Sequence, residues 1–161
     1  MKKSSPLGAR LNTILENARL ENENKDIFNL EDIFSSKSNV YSAVEEYNRT
    51  GLNHYYSKHY KEAIEQFKKA LSLRPEDGKT HYNLALVYDV MGHLNEALEE
   101  YRKAVQLNSL DAEAHNNLGI VYYHKGFYEE AILEFEEALK VDPHFNLAKE
   151  NLRLVGEQNN Q

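Results

Sequence analysis

This sequence predicts an all-α fold built as a stack of antiparallel helix pairs. Three observations carry that prediction. The stretch Val44–Phe145 reads as one 34-residue unit written three times without a gap: Val44–Asp77, Gly78–Asp111 and Ala112–Phe145. A small residue stands at the eighth place of each unit (Gly51, Ala85, Gly119), and alanine stands at the twentieth (Ala63, Ala97, Ala131) and the twenty-seventh (Ala70, Ala104, Ala138). Between those alanines comes an aromatic each time: Phe67, Tyr101, Phe135. Columns held in register at a fixed period mean that each copy is the same supersecondary unit, burying its apolar side only by stacking on its neighbours.

Residues 1–43 precede the repeats as an N-terminal extension. Leu7, Leu11, Ile14, Leu15 and Ala18 recur at helical spacing and predict a short amphipathic helix from about Pro6 to Glu21. A second apolar group follows (Ile27, Phe28, Leu30, Ile33, Phe34), and the polar run Ser35–Asn39 reads as a linker. Each repeat is then expected to be helix, tight turn, helix. In repeat 2 the first helix runs from about Gly78 to Met91 and is ended by Gly92; Gly126 has that place in repeat 3 and Lys58 in repeat 1. Glycine takes the left-handed conformation that closes helices, so the turn at Lys58 is expected to be the loosest. The second helices run from about Tyr60, Leu94 and Tyr128 to Leu73, Leu107 and Val141, with Pro75 and Pro143 following two of them. Small residues at the eighth place and in the alanine columns let backbones approach, and Leu84, Leu118, Tyr88, Tyr122, Ile64, Leu98, Ile132, Leu71, Val105 and Leu139 fill the space between. Repeat 1 is the weak copy, with Thr50 and His54 where the others have leucine and tyrosine. Residues 146–155 form a capping helix over the last repeat, with Leu147, Ala148, Leu152, Leu154 and Val155 as its apolar side; residues 156–161 read as a disordered polar tail.

Composition narrows the function. The chain has 161 residues, 41% hydrophobic and 28% charged, with 19 Lys plus Arg against 26 Asp plus Glu, a net charge of −7. Within residues 1–43 the basic and acidic residues balance, so the repeats carry the acidity. That disfavours nucleic acid and anionic membrane as partners. There is no cysteine, hence no disulfide or thiolate chemistry. No apolar run reaches the roughly 20 residues that a membrane span requires, and Met1-Lys2-Lys3 is followed by no apolar signal core. A cytoplasmic protein is expected.

Catalysis has little to rest on. His81 and His115, 34 apart, share the fourth place of their repeats, where packing is the simplest role. His54 and His59 are five apart, which does not aim two imidazoles at one metal. Phosphate-loop, nucleophile-elbow and zinc-helix motifs are absent, and acidic pairs such as Glu129–Glu130 and Glu136–Glu137 belong to solvated helix surfaces. No enzyme activity, metal or cofactor is expected.

The period and signature residues resemble the tetratricopeptide repeat, over about Val44 to Val155. That resemblance implies a right-handed superhelix of helix pairs with a concave groove, holding an extended peptide or a partner helix. The groove-facing places of a repeat are then the second, fifth, sixth, ninth, twelfth and thirteenth. The sixth places read Arg49, Asn83 and Asn117, and the cap continues the count with Asn151. A carboxamide both donates and accepts, so these asparagines suit a peptide backbone. A similar ladder holds peptide backbone in the repeats of the O-linked N-acetylglucosamine transferase family. The ninth places read Leu52, Leu86 and Ile120, with Tyr82, Tyr55 and Tyr123 nearby and His124 following Tyr123; these form an apolar stripe beside the ladder. The chaperone clamp that grips a C-terminal carboxylate is not reproduced, because Asn48, Leu52, Glu113 and Asn117 stand at its other key places and only Asn83 matches. The expectation is a protein-interaction adaptor that binds a peptide segment of a protein partner in the groove, with no nucleic acid and no membrane insertion. The alternative is a self-inhibited chain or a self-associating homo-oligomer, in which Ile27, Phe28, Ile33 and Phe34 enter its own or a neighbour's groove.

Overall fold

The structure, a computed structural model, describes residues 30–158, with side chains from residue 37 onward. The chain divides into two compact units, Met1–Asn39 and Val40–Gln161. The expected helix at Pro6–Glu21 and the side chains of Ile27, Phe28, Ile33 and Phe34 lie outside the described residues. What is described of the first unit is the start of helix α1 (Leu30–Tyr56). The run Ser35–Asn39, expected as a linker, is therefore helical. Its serines and asparagine are only mildly unfavourable in a helix, and it contains neither glycine nor proline to break one.

The second unit is a run of helix pairs. After α1 come α2 (Tyr60–Leu73), α3 (Gly78–Val90), α4 (Leu94–Leu107), α5 (Ala112–His124), α6 (Tyr128–Val141) and α7 (Asn146–Gln158). The second helices α2, α4 and α6 have the bounds expected from the repeat pattern. No strand occurs among the described residues, so the fold is all-α. Helix α7 runs three residues past the expected cap, taking in Gly156–Gln158. Arg153 spans this extension with ion pairs to Glu150 on one side (2.8 Å) and Glu157 on the other.

The turns inside the three pairs are superimposable in their bonding. Lys58, Gly92 and Gly126 have φ of 62°, 73° and 79°. The amide that follows each reaches back to the carbonyl five residues earlier, from His59 to His54, His93 to Tyr88 and Phe127 to Tyr122, all at 2.9 Å. Repeat 1 makes this turn with a residue whose Cβ is strained at positive φ. Lys58→Gly is expected to raise stability by about 0.5–1 kcal/mol, read as a later midpoint in urea; an earlier midpoint would show that the Lys58 side chain holds this turn. Between pairs, Asp77 and Asp111 cap α3 and α5 by accepting from the amides of Thr80 (3.1 Å) and Ala114 (3.0 Å).

The core lies where the alanine and aromatic columns meet the small residues. Ala63, Ala97, Ala131, Phe67 and Tyr101 are fully buried and Phe135 is 1% exposed. A Cβ added at Gly51 would lie 2.6 Å from the Phe67 ring, and one at Gly119 would lie 2.6 Å from Phe135. Bare backbone at the eighth place is thus what lets the Phe67 and Phe135 rings seat. Leu84, Leu118 and Tyr122 are buried as expected, whereas Tyr88, Ile64, Leu98, Ile132, Leu71, Val105 and Leu139 are half-buried. Val87 and Val121, at the tenth place, join the core. The cap buries Ala148 and Val155 and packs Leu152 against the core, but Leu147 and Leu154 stay exposed. The face of α7 that seals the stack is therefore narrower than its apolar content suggested.

Candidate functional site

The first helices α1, α3, α5 and α7 carry the candidate site, since they hold every groove-facing place of the three repeats and the cap. The ninth-place row is half-buried as it crosses them: Leu52, Leu86 and Ile120 rest partly on the core. Leu154 continues the row on α7 and is 42% exposed. Continuing the 34-residue count past Ile120 identifies Leu154 from sequence alone. The row ends in a cavity of about 360 Å3 between α5 and α7, floored by Phe135 and lined by Ile120, Tyr123, His124, Asn151 and Leu154. At the other end, Arg49, Leu52 and Lys79 border a second cavity of about 490 Å3. Arg49, Lys79 and His124 are exposed, while Tyr82 and Tyr123 are half-buried.

The asparagines do something the sequence did not show. Each sixth-place carboxamide donates from Nδ2 to the fifth-place residue of the preceding repeat. Asn83 reaches Asn48 Oδ1 at 3.5 Å, Asn117 reaches the Tyr82 hydroxyl at 3.1 Å, and Asn151 reaches Asn116 Oδ1 at 2.9 Å. The ladder is thus also a series of joints between neighbouring first helices. Asn83 is only 5% exposed, so it is taken up in the joint, and Asn48 on the far side donates onward to Thr80 Oγ1 at 2.6 Å. Asn117 and Asn151 remain half-buried and within reach of the groove. Arg49 starts the column, since among the described residues no first helix precedes α1. The signal for these joints was present, since donors at the sixth place and acceptors at the fifth are 35 residues apart each time.

Tyr82 shows the same dual character. Its hydroxyl accepts from Asn117 and donates to Glu113 Oε2 at 3.3 Å. Burial first, and then the Glu113 carboxylate, push this phenol well above its ordinary pKa. It stays a neutral donor at any physiological pH.

His81 and His115 are buried and polar rather than simple packing. His81 Nδ1 faces Glu100 Oε2 at 2.5 Å and Nε2 faces the Pro75 carbonyl at 2.8 Å. His115 repeats the geometry with Glu134 (2.7 Å) and the Ser109 carbonyl (3.3 Å). Each ring ties a first helix to its second helix and to the loop before it. Among the described residues no three His, Cys, Asp or Glu side chains gather in a way that would hold a metal ion.

Profiles of the tetratricopeptide repeat match residues 51–89 and 90–126, and again 112–145, the last being repeat 3 from end to end. The chain belongs to the tetratricopeptide repeat family. Solved tetratricopeptide structures share its fold. The first such domain of Spaghetti (RPAP3), solved with the HSP90 peptide SRMEEVD, aligns at TM-score 0.72 and 22% identity over 74% of this chain and 95% of that one. The tetratricopeptide domain of Aspergillus fumigatus Sgt2 aligns at TM-score 0.69 and 20% identity, over 73% and 79%. MamA aligns at TM-score 0.71 and 24% identity, over 81% and 74%. At these identities the likeness is one of fold. No curated protein sequence matches the chain. Among the described residues, no helix of this tetratricopeptide protein is long and apolar enough to cross a membrane.

Proposed function

We propose that this tetratricopeptide protein is a non-enzymatic adaptor that binds an extended peptide segment of a partner protein along α1, α3, α5 and α7. One observation carries the reading: the half-exposed apolar row Leu52, Leu86, Ile120 and Leu154, which ends in the cavity beside His124 and Tyr123. An apolar stripe edged by hydrogen-bonding groups is the surface a peptide needs, with alternate side chains on the stripe and backbone on the polar edge. Asn117 and Asn151 supply that edge, with Arg49 and Tyr82 toward the first repeat; Asn83 acts through the joint. The peptide held by the Spaghetti domain supports this use of the fold. The residues at the clamp places here, Asn48, Leu52, Glu113 and Asn117, favour apolar side chains over a terminal carboxylate as what is read.

The test is a random peptide library displayed on phage and panned on the full chain, with recovered peptides measured by fluorescence anisotropy. The double variant Leu86→Glu/Ile120→Glu is expected to weaken every one of them by about tenfold or more, measured well below its melting temperature, which should fall because both side chains rest partly on the core. Asn83→Ala is expected to lower stability and leave affinity nearly unchanged. Peptides that bind the double variant as tightly as the wild type would overturn the groove reading.

A further inference from the structure

Asp89 differs from every other partly buried carboxylate in the described chain. Asp77 and Asp111 accept from helix amides, Glu100 from His81 and Lys103, and Glu134 from His115. Asp89 is equally half-buried, yet among the described residues its carboxylate has no hydrogen bond and no ion pair. It also stands one residue before the end of α3 (Gly78–Val90), where the helix dipole is negative and a carboxylate is disfavoured. Its place is the twelfth of repeat 2, on the groove-facing stripe. Tyr55 of α1 and His124 of α5 interact with it from the two neighbouring first helices.

A second unmet group is within electrostatic range of it. The Tyr101 hydroxyl is the one buried side-chain polar atom without a hydrogen-bond partner among the described residues, and Tyr101 itself is fully buried. The Tyr101 ring packs edge-on against Tyr82 with 5.8 Å between centroids, and Asp89, Tyr55 and Asn117 act electrostatically on its hydroxyl. The Asn117 amide beside it is committed to Tyr82 at 3.1 Å. Repeats 1 and 3 have phenylalanine at this position, Phe67 and Phe135, so the polar atom is peculiar to the repeat that carries Asp89. Buried polar groups are paired in folded proteins, and an unpaired one calls for a physical explanation, such as strain, a chemical role or a bound water or ion.

We propose that Asp89 anchors a cation subsite in the middle of the groove, taking the lysine or arginine side chain of a bound peptide against the Tyr55 ring. The carboxylate provides the charge, the tyrosine face provides the aromatic wall that organic cations favour, and the end of α3 presents the negative pole of the helix. Burial pushes the Asp89 pKa up, with the charge of His124 opposing it, as befits a carboxylate with no counterion bonded to it among the described residues. The inference rests on the groove reading above and adds the chemistry of one peptide position.

The experiment pans the same random peptide library on the full wild-type chain, on Asp89→Asn and on Asp89→Lys. Wild type is expected to select lysine or arginine at one fixed position, with the two residues separated by comparing their frequencies there. Asp89→Asn is expected to lose that preference and to bind the wild-type-selected peptides about tenfold more weakly. Asp89→Lys is expected to select aspartate or glutamate at the same position. Removing an unpaired carboxylate does not endanger the fold, so Asp89→Asn should melt at or above the wild-type temperature. Peptides with no cation preference, bound equally by wild type and Asp89→Asn but lost in Leu86→Glu/Ile120→Glu, would overturn the subsite and leave the groove reading standing. Peptides insensitive to both variants would overturn both.

Discussion

Replacing Gly119 by leucine is expected to destabilise the chain by about 3 kcal/mol, at the upper end of overpacking effects in cores. The reason is geometric. A Cβ on Gly119 would lie 2.6, 2.8 and 3.0 Å from three carbons of the Phe135 ring, and that ring is 1% exposed with no room to turn away. The remaining leucine carbons have nowhere to go except between α5 and α6, pushing apart the alanine contacts at Ala131 and Ala138. Gly119→Ala is the graded control: Ala85 occupies the same place above Tyr101 in repeat 2, so one methyl group is compatible with a ring that sits slightly further back. In thermal melts Gly119→Leu should lower the midpoint by roughly 10–20 °C, and Gly119→Ala by much less. Because stability in a repeat stack is a sum of local terms and neighbour interfaces, amide exchange should quicken first in α5, α6 and α7. A Gly119→Leu midpoint equal to that of the wild type would refute the role given to a small residue at this place.

The second large effect concerns His81 and Glu100, and it depends on pH. Both ring nitrogens of His81 face acceptors, the Glu100 carboxylate and the Pro75 carbonyl, so only the protonated imidazole satisfies both. Burial alone would lower its pKa, but the Glu100 and Pro75 hydrogen bonds outweigh burial and hold it above the ordinary 6.5. Burial would likewise raise Glu100, and the bonds from His81 and Lys103 outweigh it, leaving the carboxyl below its ordinary 4.5. A raised histidine stabilises fully below pH 6.5 and loses that contribution as pH rises through its folded value. A lowered carboxylate stabilises fully above pH 4.5 and loses it as pH falls through its folded value. The pair therefore contributes most between pH 4.5 and 6.5. Glu100→Gln is expected to cost about 2 kcal/mol at pH 6, the range of a hydrogen bond to a charged group. The gap from wild type should narrow as pH rises past neutrality. Urea denaturation of both proteins from pH 5 to 9 measures it, and a constant gap would show that His81 stays neutral throughout.

The repeat columns made the helices legible because each signature residue has a mechanical job that tolerates few substitutes. A ring at Phe67, Tyr101 or Phe135 needs alanines on either side and a small residue opposite, so the pattern and the packing are the same statement. The turns were legible through Gly92 and Gly126, and Lys58 adopted their conformation because the surrounding bonds demand it. Polar composition misled at Ser35–Asn39, where residues that merely tolerate helix were read as breaking it. At Gly156–Gln158 the pairing of Arg153 with Glu157, four residues apart, was the signal for continued helix. The asparagine column was legible as a period but not as a set of joints, because the sixth place borders both the groove and the preceding helix. A one-dimensional count cannot say which side a carboxamide serves. The His81–Glu100 and His115–Glu134 pairs were readable in principle. Histidine at the fourth place and glutamate at the twenty-third occur together in repeats 2 and 3 and are both missing from repeat 1, which has Tyr47 and Gln66.

The joints made by Asn83, Asn117 and Asn151 also bear on how such a chain grows. Donor and acceptor sit on adjacent residues of one helix, so a single 34-residue segment carries both halves of its own coupling. A tandem duplication of that segment inserts a new acceptor behind the old donor and a new donor ahead of the old acceptor, with no compensating change needed elsewhere. The acceptor also varies, from asparagine to tyrosine to asparagine, while the donor stays constant. Copies are then free to diverge at the fifth place, altering what the groove presents locally, without losing the ability to recognise their neighbours.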